Sequence, residues 1–236
     1  MAGGNSLEGR EQKKGIAVNT LYTMGGLLFM NAVLQIVITP LLNRMMGAEQ
    51  LGGLLYITGL VAIICPSIGQ ALNNSRLVVR RDFDVTNGDY DWLLLGFGLI
   101  GSIVALFMSG KSLESPLMAA GVFLMFMLTV FRYYGDVEYR LNLNYRRYFI
   151  YYFLIGIGYL AGFGIYRLTG QWVWIYLIGE AAALAFVGVT GNIFHQFFRR
   201  SEFLRRHSVE AFSYVIVSYY QYDNEYGSPC DQTDPR

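Results

Sequence analysis

The chain has 236 residues, of which 54% are hydrophobic and 15% are charged, and its formal net charge is +1. With a mean hydropathy of +0.35, this composition is typical of polytopic membrane proteins and excludes an ordinary soluble domain. The basic residues lie in short segments between apolar ones and form no basic patch, so we expect no nucleic-acid partner.

Six apolar segments follow one another, and each is roughly long enough to cross a hydrocarbon core of about 30 Å. They lie at Ile16–Leu42, Leu51–Asn73, Trp92–Met108, Leu117–Tyr134, Tyr148–Tyr166 and Val173–Phe194. Their consecutive apolar residues lack the strict alternation of barrel strands, so they predict helices. The sequence therefore predicts an all-α bundle of six transmembrane helices over 16–194. A cytoplasmic segment, 1–15, precedes the bundle, and a basic segment with an atypical polar tail, 195–236, follows it.

Lysine and arginine are unevenly distributed over the connections. Fourteen lie in the N-terminal segment, in the second and fourth connections with the adjoining helix end, and in the segment 199–206 after the sixth helix. Three lie in the other connections, Arg44, Lys111 and Arg167, and Arg236 is the last residue of the sequence. Positive charge is retained in the cytoplasm. This pattern predicts a multi-pass protein of the cell membrane whose N-terminus and C-terminus are both cytoplasmic.

Three polar residues stand out within the apolar segments. Glu180 lies near the middle of the sixth, where an ionised carboxylate costs at least a few kcal/mol without a cavity or a partner. We interpret it as a lumen-facing group that binds a proton or cation, or that pairs with an arginine; a hydrogen-bonded structural glutamate is the alternative. Asn31 and Gln35 are one turn apart in the first helix and so share a face. These two amides could line a hydrophilic path, and hydrogen bonds from them to another helix are an equally good interpretation.

Arginines also gather near the predicted inner mouth of the bundle: Arg76, Arg132, Arg140, Arg146 and Arg147. Guanidinium groups recognise phosphate through charge-assisted bonds, so a pyrophosphate-linked lipid would find a suitable entrance here. Ordinary anchoring of helix ends is the alternative and the better interpretation for most of them. Arg132 is the exception, because it is closest to an apolar segment and is followed by Asp136 and Glu138.

Other motifs predict no chemistry. Gly96–Gly101 matches G-x-G-x-x-G in letters but lies inside an apolar segment, where helix packing explains it better. Asp82-x-Asp84 and Asp89-x-Asp91 resemble a metal-chelating D-x-D, but we expect them in a solvated loop. His195 and His207 suit no common metal motif, and Cys65 and Cys230 support neither a disulfide nor a metal site. We expect no enzymatic activity, no cofactor and no metal.

The segment Thr39–Gly52 resembles the first outer loop of polysaccharide flippases of the MOP superfamily, with T-P-L followed by Arg44, Gly47, Glu49 and a second glycine. Val137–Tyr145 and the last two helices through Glu180 are similar to the same proteins. The resemblance covers about 18–206. It implies transport of a polyprenyl-pyrophosphate-linked oligosaccharide from the inner to the outer leaflet, for polysaccharide biosynthesis, by two six-helix lobes around a partly cationic cavity.

By this resemblance the chain corresponds to the N-terminal lobe alone, as a truncated product or as one half of a transporter. A seventh helix begins and stops at Ala211–Tyr220. Its expected partners are membrane lipids, the lipid-linked oligosaccharide, and a second lobe or a second copy of the chain. A non-transporting scaffold or inactive fragment is the alternative, and a membrane-embedded transferase is less favoured because no acidic or histidine cluster supports it.

Overall fold

The computed structural model describes residues 4–82, 87–113, 115–191 and 193–194, and every regular element within them is helical. The elements are α1 (Gly4–Ala32), a π-helical segment (Val33–Ile38), α2 (Thr39–Met45), α3 (Ala48–Asp82), α4 (Asn87–Ser109), a 3-10 turn (Gly110–Ser112), α5 (Pro116–Gly135), α6 (Val137–Leu141), α7 (Tyr145–Thr169) and α8 (Val173–Thr190).

Six helical stretches among the described residues are long and apolar enough to cross a membrane. They are Val18–Met45, Ala48–Arg76, Asn87–Ser109, Pro116–Arg140, Tyr145–Thr169 and Val173–Thr190. The first combines α1, the π-helical segment and α2, and Pro40 follows the wider turn directly. The prediction of an all-helical chain with six segments fit to cross a membrane is confirmed.

The helices do not pack in chain order. Helix α7 lies between α1 and α8, α8 also packs against α5, and α5 packs in turn against α3 and α4. The first membrane-crossing stretch, which begins in α1 and ends with α2, is joined to α3 by a short connection at Met46 and Gly47, yet α1 and α3 pack against different neighbours. Each of these two helices therefore keeps a face that the rest of the bundle does not cover.

Two glycines on α7 allow its backbone to approach that of α8. A Cβ atom built at Gly158 would lie 2.6 Å from the Cα atom of Gly179, and one built at Gly162 would lie 2.6 Å from the Cα atom of Ile175. Small residues one helical turn apart permit this close packing. The Gly158-x-x-x-Gly162 spacing thus identifies a real contact between these two helices.

The connections are shorter than the sequence indicates. Helix α3 continues to Asp82 and α4 begins at Asn87, so helix replaces most of the loop expected at 74–91. Asp89, in the first turn of α4, interacts favourably with the helix dipole. Asp89 and Asp91 are fully buried, and the prediction that they belong to a solvated loop is wrong.

Two further boundaries differ. The expected loop 135–147 contains α6, and α8 ends at Thr190, before Gly191, rather than at Phe194. The Gly96–Gly101 motif lies within α4. His195, His207, the run at 211–220 and the rest of the tail lie outside the described residues.

We name the two ends of the bundle by their connections. The basic end comprises α6 with residues 142–144, the start of α7 and the C-terminus of α8. The opposite end comprises Met46, Gly47, the segment 110–115 and the segment 170–172.

Candidate functional site

A buried charged cluster joins three helices inside the bundle. Arg132 of α5 and Glu180 of α8 form an ion pair, with 3.2 Å between Nε and Oε2. The hydroxyl of Tyr159 on α7 donates to Oε1 of Glu180 at 3.2 Å and accepts from Nη1 of Arg132 at 3.4 Å. The exposed fractions are 7% for Arg132 and 2% for Glu180. The cluster is therefore a closed triad, sealed from its surroundings.

The ion pair is close but poorly aligned. Although Nε of Arg132 and Oε2 of Glu180 are within ion-pair distance, the N–H direction does not meet hydrogen-bond geometry, and neither atom has another hydrogen bond. Arg132 also makes two contacts that are weaker than a hydrogen bond to oxygen. Its Nη1 lies 3.7 Å from the sulfur of Met30 on α1, and its guanidinium lies 4.6 Å from the ring centroid of Tyr133. Arg132 retains unused hydrogen-bonding capacity despite its burial.

Tyrosines of α7 hold the end of α5 in place. The Tyr151 hydroxyl donates to the carbonyl of Arg132 at 3.0 Å, and the Tyr152 hydroxyl donates to Oδ2 of Asp136 at 2.9 Å. Tyr152 and Tyr159 are seven residues apart and so share one face of the helix. That face holds Asp136 and the Arg132–Glu180 pair, while Tyr151, about 100° around the helix from Tyr152, holds the Arg132 backbone.

A second buried cluster lies toward the basic end. Nη1 of Arg76 on α3 donates to the hydroxyl of Tyr134 at 3.3 Å, and its guanidinium lies 5.2 Å from that ring. Arg76 is 4% exposed, so its side chain is buried inside the bundle and is not accessible at the predicted inner mouth. Nearby on α3, Nδ2 of Asn73 donates to the carbonyls of Tyr133 and Tyr134 at 3.2 and 3.1 Å. These contacts fasten α3 to α5.

The other arginines of the basic end have different environments. Arg140 is half exposed, and its Nη2 lies 3.8 Å from Oδ1 of Asp136. Arg147 donates from Nη1 to the carbonyl of Thr190 at 2.9 Å, which satisfies an end group of α8. Arg146 is exposed. Arg147 therefore anchors a helix end, and Arg140, Arg146 and Arg147 are the exposed arginines among the described residues of this end.

Asn31 and Gln35 both lie on an exposed face of the first membrane-crossing segment. The Asn31 amide donates to the carbonyl of Leu27 in its own helix, and Gln35 lies within the π-helical segment. Neither makes an interhelical hydrogen bond within the described part of the chain. Helix α3 carries a comparable exposed polar stripe: Ser67, Gln70 and Asn74.

The structure brings Arg132 and Glu180 together, whereas Arg76 and Arg140 lie in separate clusters and Asn31 and Gln35 lie on a surface. Sequence reasoning missed Tyr159, and it did not predict a buried role for Tyr134, Tyr151 and Tyr152. These tyrosines are buried and hydrogen-bonded inside the bundle. The seven-residue spacing of Tyr152 and Tyr159 is the sequence signal that points to a shared inward face.

Among the described residues, no group of three or more histidine, cysteine, aspartate or glutamate side chains could hold a metal ion. The Cys65 thiol is buried beside the carbonyl of Phe126, at 3.7 Å. Comparison with protein-family models, with curated proteins and with solved structures finds no match to this chain.

Proposed function

We propose that this chain is one lobe of a membrane transporter that moves a polyprenyl-pyrophosphate-linked oligosaccharide across the cytoplasmic membrane for polysaccharide biosynthesis, as a flippase of the MOP superfamily does. In this proposal the basic end faces the cytoplasm, because short cytoplasmic connections carry the excess of lysine and arginine.

The observation that carries the proposal is the polar surface that α1 and α3 leave uncovered. Asn31 and Gln35 lie well inside Val18–Met45, and Ser67 and Gln70 lie well inside Ala48–Arg76, all exposed. Lipid tails offer no hydrogen bonds to the amides among these side chains at that depth, whereas the Ser67 hydroxyl donates to the carbonyl of Ile63 in its own helix. We therefore assign these faces to a hydrophilic path, along which the sugar head group moves while the prenyl tail stays in the bilayer.

The triad places beside this path an arginine, Arg132, whose partner can change from the Glu180 carboxylate to an anionic group of the substrate. Buried ionisable groups in membrane segments commonly mark substrate pathways. Arg132 contacts Met30 of α1, and its bond to Glu180 is misaligned, so a competing anion has less to displace than in a well-formed pair. A pyrophosphate would offer Arg132 charge-assisted hydrogen bonds in place of Glu180. Arg140 and Arg146, exposed at the basic end, would attract the same group first.

The same polar faces support a partner. A second six-helix lobe or a second copy of the chain would cover amides that lipid cannot satisfy, and a path enclosed between two lobes would exclude lipid from the sugar. The chain as one lobe and its partner as the other then form a single transporter.

The test is complementation of a strain that lacks its own flippase, with the chain and its second lobe supplied. Arg132→Gln and Glu180→Gln are each expected to reduce polymer export strongly at equal protein level. Arg167→Gln, a matched control at an exposed arginine of the opposite end, is expected to export normally. Undiminished export by both triad variants would overturn the proposal and favour a non-transporting scaffold.

A further inference from the structure

A pocket of about 680 Å³ opens at the opposite end of the bundle, away from the arginines discussed above. It lies where α3, α5 and α8 begin, and residues from all three connections of that end border it. Its volume is within the range of sites that hold small ligands. Its place at the ends of three helices makes it distinct from the buried triad.

The pocket lining combines neutral hydrogen-bonding side chains with apolar residues and one carboxylate. Its described polar residues are Glu49, Gln50, Ser112, Ser115 and Gln171. Carboxamides and hydroxyls both donate and accept, whereas the Glu49 carboxylate accepts only. Leu54, Met118 and Trp172 add apolar walls. A ligand that fits this lining carries several hydroxyl groups on an otherwise apolar ring.

Other ligand classes fit less well. Glu49 is the one charged residue among the described lining, so it would repel a phosphate. A hard cation such as calcium needs six to eight oxygen ligands, and no acidic cluster that could hold a metal lies among the described residues. An acyl chain would offer no hydrogen bond to the Gln171 carboxamide of this lining.

We infer that this pocket binds a neutral sugar, as the site that receives the glycan at the end of the bundle where transport finishes. The place of the site in transport rests on the proposed function, but binding of a sugar does not. Gln171, half-buried in the connection between α7 and α8, is the residue whose side chain is best placed to be changed without disturbing a helix.

The experiment uses the full chain purified in lipid nanodiscs and three disaccharide probes, tested singly at millimolar concentration: maltose, cellobiose and N,N′-diacetylchitobiose. Saturable binding of at least one is expected by calorimetry, with a change in indole emission that Trp172→Phe abolishes. Gln171→Ala is expected to weaken binding about tenfold, since a hydrogen bond in a pocket is lost. Gln171→Trp, which places a bulky ring against the lining, is expected to abolish it, and Asn142→Ala, in an exposed turn at the basic end, is expected to leave it unchanged.

Two results would overturn the inference: no saturable binding of any probe, or binding that survives Gln171→Trp unchanged. The two proposals fail separately. Sugar binding by a chain that cannot support export would retain the pocket and reject the transport function. Export by a chain that binds none of the probes would reject the sugar pocket alone.

Discussion

Replacing Glu180 by glutamine leaves the Arg132 guanidinium buried without the carboxylate that lies 3.2 Å away. Breaking a buried ion pair from one side costs about 3–5 kcal/mol, because a charge remains without compensation. For a chain of this size, that loss corresponds to a fall of roughly 6–20 °C in the unfolding midpoint. Arg132→Gln is expected to have a similar effect, since it strands the carboxylate instead.

The double variant Arg132→Gln/Glu180→Gln separates stability from function. Both charges are gone, and the two amides can bond to each other and to Tyr159, so the free energy of unfolding is expected to recover to within about 1 kcal/mol of the original. If the charges act in transport, this stable variant nevertheless exports no polymer. Recovery of stability without recovery of export is the expected signature.

Thermal unfolding can be followed with a thiol-reactive fluorescent dye, because Cys65 is fully buried in the folded bundle. The measurement uses a Cys230→Ser background, so that Cys65 is the one remaining cysteine. Single variants that melt within 1–2 °C of the parent, a difference of about 0.5 kcal/mol, would refute the electrostatic coupling inferred from the geometry. Export restored in the double variant would refute the role of the charges in transport.

Three other changes probe the packing and the orientation. Gly162→Val forces a side chain against the α8 backbone and should destabilise the bundle by about 2 kcal/mol or more, whereas Gly164→Val, with nothing within 4 Å of its Cβ position, should have little effect on the melting midpoint. Tyr152→Phe removes the hydrogen bond to Asp136 and should lower the free energy of unfolding by about 1–3 kcal/mol in the same assay, and an unchanged midpoint would contradict that bond. Ser112→Cys, at the opposite end, should react with a membrane-impermeant maleimide in intact cells; labelling only after permeabilisation would reverse the proposed orientation.

The membrane-crossing helices could be predicted from sequence because the bilayer imposes both their length and their apolar character. Glu180 could be selected because it lies near the middle of an apolar segment. Arg132 could be selected because it is the arginine closest to such a segment and is followed by acidic residues. Which arginine pairs with Glu180 could not be predicted, since the pairing depends on how α5 and α8 are rotated toward each other. The hydropathy pattern carries no information on that rotation.

The errors have a common origin. Aspartate next to an apolar segment is usually solvated, so Asp91 was assigned to a solvated loop. Tyrosine at the end of such a segment is usually interfacial, so Tyr134 was not expected among the buried residues. In the structure, α4 begins at Asn87, before the apolar segment that starts at Trp92, so Asp91 lies within a packed helix and is buried. Tyr134, near the end of α5, is buried as well. The hydrogen-bond partners of these tyrosine hydroxyls lie on other helices. Local sequence does not reveal which helices pack together, so it does not reveal these partners.

The π-helical segment Val33–Ile38 has a consequence for the register of the first membrane-crossing stretch. Met30, Val33, Ile38 and Leu42 are all buried, although each residue of a regular α-helix adds about 100° and would turn Leu42 about 120° away from Met30. One residue absorbed in the wider turn returns Ile38 and Leu42 to within about 20° of Met30. The stretch is thus two pieces of helix in phase, and tightening that single turn would rotate one piece against the other by more than a quarter of a revolution.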